Sequence, residues 1–347
     1  YNTGSYTSFP ADEDNYKILA RIDWNINDRH HLAFRYNYTK HHVWNSPNAS
    51  SMDGGTRMTD GRMSKASMSY ANSMYAMDNL VHSFSLDLNS RFTDNLSNQF
   101  LATYSKLDDE RSSDSADFPF IDILKDGNNY IALGYELFTW NNAVHNTIWN
   151  VKDDVTYYMG AHKFTAGVSF EHQMADNMYM RNGAGYYRYT SMNDFLNAGV
   201  PEIVALTYGY NGESDPAARV QFNKLGFYLQ DDWNVMDNLK LTYGLRLDGL
   251  FFNNNDLMTN NAIYDYDYNG RHIDTGAWPT SKLTISPRVG FNWDVFGDKS
   301  LKVRGGTGIF TGRLPLVFFT NMPTNANMAQ NSVTYTSSYK NGIPTGE

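Results

Sequence analysis

Apolar and polar residues alternate strictly from Leu239 to Asp248. Leu239, Leu241, Tyr243, Leu245 and Leu247 share one face, and Lys240, Thr242, Gly244, Arg246 and Asp248 share the other. A period of two is the pattern of a strand with one apolar and one polar side. The stretch before it alternates as well, with Leu225, Phe227, Leu229, Trp233 and Val235 in step. Met236-Asp237-Asn238 leaves room for a tight turn between them, which predicts an antiparallel hairpin. About ten alternating residues suit a tilted strand crossing a bilayer, with lipid on one side and a lumen on the other. Asp231 departs from this pattern. It shares the lipid-facing register of Leu229 and Trp233, where a charge is costly unless it lies near the interface or a bulge intervenes.

The hairpin recurs. Trp24-Asn25-Ile26-Asn27-Asp28, Trp233-Asn234-Val235-Met236-Asp237 and Trp293-Asp294-Val295-Phe296-Gly297-Asp298 share one plan. Each places Trp before Asn or Asp, then a β-branched residue, then a turn carrying Asp, and each is followed by a Leu that opens a strand. Tryptophans at one depth before a short turn resemble the aromatic belt of a membrane interface. A soluble propeller also repeats its aromatics, once per blade. Connections that alternate between short and long favour the barrel.

In the first hairpin Ile18, Ala20, Ile22, Trp24 and Ile26 face Leu32, Phe34, Tyr36 and Tyr38 across a turn at Asn27 to His30. Pairing Ile26 with Leu32 would set Asp23 beside Arg35, a favourable cross-strand pair. Val295 opposite Leu301 would likewise set Asp294 beside Lys302. Further hairpins follow around Thr93-Asp94-Asn95 and Gly160-Ala161-His162. Between hairpins, His41 to Asn79, Asp108 to Asn142, Asp176 to about Arg219 and Phe252 to Ile285 read as long loops. Ser191-Met192-Asn193-Asp194 within the third predicts a short capped helix. The glycines of Arg304-Gly305-Gly306-Thr307-Gly308 predict a bulge or the close approach of a neighbouring backbone.

The sum is an all-β chain: an antiparallel transmembrane β-barrel contributing about ten strands, with short periplasmic turns and long extracellular loops. A mean hydropathy of −0.54 does not oppose this, because luminal and loop residues dilute the apolar face. No run approaches the ~20 apolar residues of a membrane helix. The net charge of −9 argues against nucleic acid as a partner. The absence of cysteine excludes disulfides and thiolate sites. Residues 1–347 are expected to form one partial barrel domain, an internal piece of a longer protein.

Gly226-Phe227-Tyr228-Leu229-Gln230-Asp231-Asp232-Trp233, followed by Leu239 to Asp248, resembles the barrel hairpin of TonB-dependent outer-membrane receptors. Arg21-Ile22-Asp23-Trp24-Asn25, Ser286-Pro287-Arg288-Val289-Gly290-Phe291 and Arg304-Gly305-Gly306-Thr307-Gly308-Ile309-Phe310 resemble the Oar-like group of Bacteroidota. The resemblance spans nearly the whole chain. It implies a 22-stranded barrel closed by an N-terminal plug in the outer membrane of a Gram-negative bacterium. It also implies energy from the inner-membrane TonB, ExbB and ExbD machinery, with outer-membrane lipid and a surface lipoprotein as further partners. The plug, the TonB-contact segment and the closing strands are expected to lie outside this chain.

Luminal Arg21, Arg35, Arg246, Arg288 and Arg304 could steer an anionic substrate. Structural pairing with Asp23, Asp248, Asp294 and carboxylates of the plug is the commoner outcome for such residues. Asp265-Tyr266-Asp267-Tyr268-Asn269-Gly270 matches the first half of a calcium loop, with Asp265, Asp267 and Asn269 as oxygen ligands and Gly at position six. Gly276 stands where the expected Glu would be, and Asx-rich turns also occur without metal. Met52, Met58, Met63, Met68, Met74 and Met77 crowd the first long loop, as soft ligands or as packing. The pairs His30/His31 and His41/His42 point to opposite strand faces and cannot readily share a metal. Asp108-Asp109-Glu110 and Asp153-Asp154 read as solvated acidic clusters. No nucleophile elbow, HExxH or phosphate-cradling glycine loop is present, so catalysis is not expected. The expectation is an outer-membrane transporter or receptor for an unidentified substrate, an oligopeptide or oligosaccharide by analogy. The alternative is a non-transporting surface barrel, an adhesin or an assembly partner.

Overall fold

The computed structural model describes residues 2–49, 60–252, 257–312, 317–340 and 343–344. In chain order the first strands are β1 (Glu13–Asn27), β2 (His30–Asn45), β3 (Met68–Ser69), β4 (Tyr75–Arg91), β5 (Leu96–Ser112), β6 (Phe120–Lys125), β7 (Asn128–Leu133) and β8 (Ala143–Met159). They continue with β9 (His162–Met178), β10 (Tyr186–Tyr189), β11 (Ile203–Gly209), β12 (Ala217–Met236), β13 (Leu239–Phe252), β14 (Leu283–Asp294), β15 (Lys302–Gly308) and β16 (Gln330–Thr336). Short helices interrupt the later connections: α1 (Met192–Leu196), α2 (Asn261–Tyr264) and α3 (Val317–Asn325).

Ten of these strands form a single antiparallel sheet in the order β1-β2-β4-β5-β8-β9-β12-β13-β14-β15. Every connection between partners at one end is short, such as Met236 to Leu239 and Met159 to His162. The other end carries the long connections. Its strands run well past bilayer length: β4, β5, β8 and β9 each have 17 residues and β12 has 20. A spanning strand needs about 9–11 residues, so the surplus projects beyond the membrane on the long-loop side. One face of the sheet carries Ile22, Phe84, Trp149, Val168, Phe227, Leu229, Leu245 and Val289, all exposed. In water such an apolar surface would be untenable, and against lipid it is the expected finish.

The central hairpin pairs as its alternation predicts, with Phe227 opposite Leu247, Leu229 opposite Leu245 and Trp233 opposite Leu241. The first hairpin does not. Trp24 faces Leu32, Asp23 faces Ala33, and Arg21 sits directly opposite Arg35. The register slips between Asn25 and Asn27, leaving Ile26 as an extra residue, and it slips again between Asn234 and Met236 at Val235. The β-branched residue of the recurring Trp-Asn-Ile/Val unit is thus a bulge that tightens the strand into its turn. Asn27 Oδ1 then accepts from the backbone N–H of Arg29 and His30, at 2.9 and 3.0 Å. At the third hairpin Asp294 pairs with Lys302, as expected.

The glycine run in β15 holds no bulge, because each residue from Lys302 to Gly308 pairs regularly with β14. Close approach is its reason. A Cβ on Gly306 or Gly308 would lie 2.9 Å from the carbonyl oxygen of Val289 or Pro287, and one on Gly305 would meet the Phe291 ring.

The loop readings need their largest correction at the far end. Segments of the long connections assemble a second, six-stranded sheet in the order β16-β11-β10-β6-β7-β3. Its Phe120, Ile123, Tyr186 and Ile203 are almost wholly buried. A bidentate ion pair is buried with them: Arg62 donates to both oxygens of Asp122, at 2.8 and 2.7 Å, and Tyr186 Oη donates to Asp122 Oδ2 at 2.8 Å. Arg188 Nε donates to Glu202 at 2.6 Å. Burial pulls the Arg62 pKa down, but the Asp122 charge and hydrogen bonds outweigh it and raise the net value. Burial, with the Asp122 charge next, pushes the Tyr186 hydroxyl up. The predicted capped helix is present as α1, where Ser191 Oγ accepts from Asp194 N–H at 3.1 Å. Met52 and Met58 lie outside the described residues. Met74 is buried and Met63 exposed, so these two do not share a site.

Candidate functional site on the luminal face

The polar face of the sheet is built from the alternate positions of the same strands. On β8, β9, β12 and β13 these carry Lys152, Asp154, Ser169, Tyr228, Arg246 and Asp248. Lys152 Nζ lies 2.5 Å from Asp154 Oδ2, and Tyr228 Oη donates to the other oxygen of the same carboxylate. The Arg246 guanidinium sits 5.3 Å over the Tyr228 ring. It donates to both oxygens of Asp248, the shortest contacts being 2.8 Å, and to Ser169 Oγ at 2.9 Å. Lys224 Nζ stands 3.9 Å from Asp248. Four adjacent strands are thus laced by one chain of charge-assisted contacts.

Glycine makes the room for it. A Cβ on Gly167 would run into the Tyr228 ring, and one on Gly226 would run into Arg246 and Ser169. Both glycines face the lumen in register with the side chains that fill their space. Tyr228 and Arg246 therefore lie flat along the wall instead of standing into the lumen.

The five luminal arginines do not converge. Arg21 is satisfied within its own strand, donating to Asp23 through Nε at 2.7 Å and Nη2 at 2.6 Å. That carboxylate offsets the repulsion of Arg35 directly opposite. Arg246 bonds Asp248, also two residues along. Arg288 lies diagonally from Arg246, because it faces Gly244 while Arg246 faces Ser286. Its guanidinium stacks 6.0 Å over the Phe310 ring. Arg304 faces Asn292 on the last strand. Arg21 and Arg35 occupy the opposite end of the ten-stranded order from Arg288 and Arg304. Among the described residues no arginine pairs with Asp294, which accepts from the backbone N–H of Lys299 at 2.9 Å and closes its turn.

Asp265 terminates α2, and Asp267 turns its carboxylate onto the Gly270 N–H. Asn269 and Gly270 both have positive φ, 58° and 79°. Asp274 accepts from Thr259 Oγ1 at 2.7 Å and from Gly276 N–H at 2.8 Å. Among the described residues, no group of three or more His, Asp or Glu is arranged to hold a metal ion. The paired histidines divide as strand geometry requires: His41 contacts Glu13 at 2.9 Å and His42 contacts Asp78 at 2.6 Å. The acidic clusters are not simply solvated. Asp108 contacts His145 at 2.8 Å, and Asp153 accepts from Asn98 at 2.6 Å.

A family model for an outer membrane beta barrel domain matches residues 2–346. The chain belongs to that family. As an outer-membrane β-barrel domain it resides in the outer membrane of a Gram-negative bacterium. The open form of the ferric-catecholate import receptor Fiu from E. coli K12 resembles it with a TM-score of 0.50 and 12% identity, over 89% of this chain and 49% of that one. The copper transporter OprC follows at 0.48 and 12%, over 87% and 37%. The ferric citrate transporter FecA in its unliganded form scores 0.47 at 12%, over 86% and 36%. At such identity the likeness is one of fold. This barrel domain spans about half the length of Fiu and less of the other two. No curated relative matches it by sequence.

Sequence reasoning found the arginines, read Asp154 as solvated and missed its partners Lys152 and Tyr228. The signal was Gly167 and Gly226 on the polar register, which becomes legible only once β9 and β12 are aligned.

Proposed function

We propose that this domain is the middle wall of a TonB-dependent outer-membrane receptor of the Oar-like group, importing a substrate captured at its extracellular side. The observation that carries the reading is the open wall. Among the described residues β1 and β15 are the two edges of the ten-stranded sheet. In hydrocarbon an unpaired edge leaves backbone N–H and C=O groups without partners, so a spanning sheet needs further strands to close. Ten strands with both edges unpaired exceed the eight of the small, side-chain-filled barrels and suit one of the large barrels, among them the plugged transporters that the sequence resembles. The laced luminal wall and the ordered extracellular sheet suit a rigid conduit beneath a structured capture surface.

The test is uptake. In cells carrying the intact receptor, loss of TonB or collapse of the inner-membrane proton gradient should abolish import of a labelled oligopeptide or oligosaccharide pool. Surface binding should survive. A surface barrel that acts as an adhesin would show the same phenotype with and without TonB, and that result would overturn the proposal.

A further inference from the structure

At the loop end of β12 and β13 the polar register is broken by apolar residues. Phe222 and Phe252 face each other in the ladder, and both occupy the alternate positions that carry Lys224, Arg246 and Asp248 further down. A lumen-facing phenylalanine gains nothing from water, so two in direct register call for a partner. Two further rings join them. Phe252 lies 6.1 Å from Phe222, 5.3 Å from Phe319 on α3 and 4.9 Å from Trp278, stacked on the last at 9°. Phe222, Phe252 and Phe319, with Leu250 and Pro279, line a cavity of about 210 Å³. That is room for one ring system, not for a whole oligomer.

The polar rim of this cavity carries two charges of each sign. Lys224 and Lys282 line it together with Glu171 and Asp248. Asp248 is already bonded by Arg246 from below, through three contacts of 2.8 to 3.1 Å. With Asp248 held by Arg246, the carboxylate left facing the two rim lysines is Glu171, opposite Lys224 in the ladder. Thr280, Thr284 and Thr311 add hydroxyls around the same opening.

We infer that the mouth cavity between β12, β13 and α3 is a binding subsite for an aromatic ring bearing a carboxylate. The ring would enter between Phe222, Phe252 and Phe319, where offset or edge contacts with rings are favourable. Its carboxylate would meet Lys224 and Lys282 at the rim in charge-assisted hydrogen bonds. This chemistry is offered by a free aromatic acid and by the C-terminal aromatic residue of a peptide. The inference rests on the receptor reading only for its placement at the outward-facing mouth, and binding alone tests it.

The experiment is calorimetric titration of the intact, detergent-solubilised protein with four probes. These are N-acetylphenylalanine, its amide, N-acetylalanine, and a hexapeptide ending in phenylalanine with a free carboxylate. The acid should bind at least about ten-fold more tightly than the amide, the value of one charge-assisted hydrogen bond. The alanine analogue should not bind measurably. K224Q combined with K282Q should erase the acid–amide difference, and F319A should weaken both. F319A is a loop-side substitution, and folding of each variant is checked by the heat-dependent shift in gel mobility. Tighter binding of the hexapeptide than of the free acid would identify a peptide as the source; the reverse would identify a free acid. Equal binding of acid and amide, or no binding by the folded protein, overturns the inference. Binding as predicted without TonB-dependent uptake would leave the subsite standing and remove the transport reading.

Discussion

Asp231 and His162 are joined across β12 and β9, with Oδ2 and Nδ1 2.7 Å apart. Tyr243 Oη donates to the same oxygen at 2.7 Å. All three occupy the lipid-facing register, yet Asp231 is only 3% exposed. His162 stacks between Phe164 and Trp233, at 5.4 and 5.3 Å, and the rings cover the carboxylate. A carboxylate only accepts, so the imidazole must carry its proton on Nδ1. The charge that broke the alternation is tolerated because it lies beside the belt tryptophan and is bonded from two neighbouring strands. No bulge removes it from the face.

The first prediction concerns this cluster. Asp231→Ala leaves His162 and Tyr243 without their acceptor and should lower the unfolding free energy of the intact barrel by about 1–3 kcal/mol. Replacing all three together with Leu, Phe and Phe should cost less than Asp231→Ala alone, because no polar group is then stranded. Urea unfolding in detergent, followed by tryptophan emission, compares the two. A triple variant weaker than the single one would contradict this account of the cluster.

Leu245 tests the lipid face away from the belt. Leu245→Arg puts a charge where the sheet offers no partner in register and should cost about 2–4 kcal/mol near the bilayer midplane. Unchanged stability in lipid bilayers would mean that Leu245 does not face lipid.

Gly167 and Tyr228 form a packing pair across β9 and β12. Gly167→Ala should cost about 1–3 kcal/mol by driving the Tyr228 ring off the wall. Tyr228→Ala should relieve most of that penalty in the double variant, a coupling read from a double-mutant cycle. Simple additivity would show that the two residues do not share this space.

The extracellular sheet should fail separately from the barrel. Arg62→Met strands the buried Asp122 charge and should destabilise the sheet by about 3–5 kcal/mol. Protease should then cut within residues 120–133 while the heat-modifiable barrel band persists. High pH should have a related effect. The raised Tyr186 pKa makes its contribution complete below about pH 10, its unfolded value, and lost as pH rises above it. Wild-type protein brought to about pH 11 should become cleavable there, and Tyr186→Phe should show a smaller change between pH 8 and pH 11.

The barrel wall was legible because its signal is local. In Leu239 to Asp248 one period-two run fixes the strand, both faces and the turn before it. The first hairpin was misregistered by two residues, with Asp23 facing Ala33 and not Arg35, because Ile26 bulges out of the ladder where it was expected to pair, and bulges leave no mark in alternation. The extracellular sheet was hidden for a different reason. Phe120–Lys125 and Ile203–Gly209 are strand-like runs, but each is short and lies within a polar connection. Their pairing through β10, parallel to one and antiparallel to the other, is long-range. The luminal arginines could be named but not placed. Whether Arg246 and Arg288 meet, or Arg21 and Arg35 repel, depends on strand order and register.

The most direct test of the barrel assignment is cysteine labelling in intact outer membranes, on a chain segment that has no native cysteine. Leu229→Cys and Leu245→Cys should resist a water-soluble maleimide and react with a membrane-partitioning one. Gln230→Cys and Thr242→Cys, at luminal-register positions of the same two strands, should show the opposite preference. Equal labelling of neighbouring positions by the water-soluble reagent would mean that both faces of the sheet are wet, and the transmembrane wall would have to be abandoned.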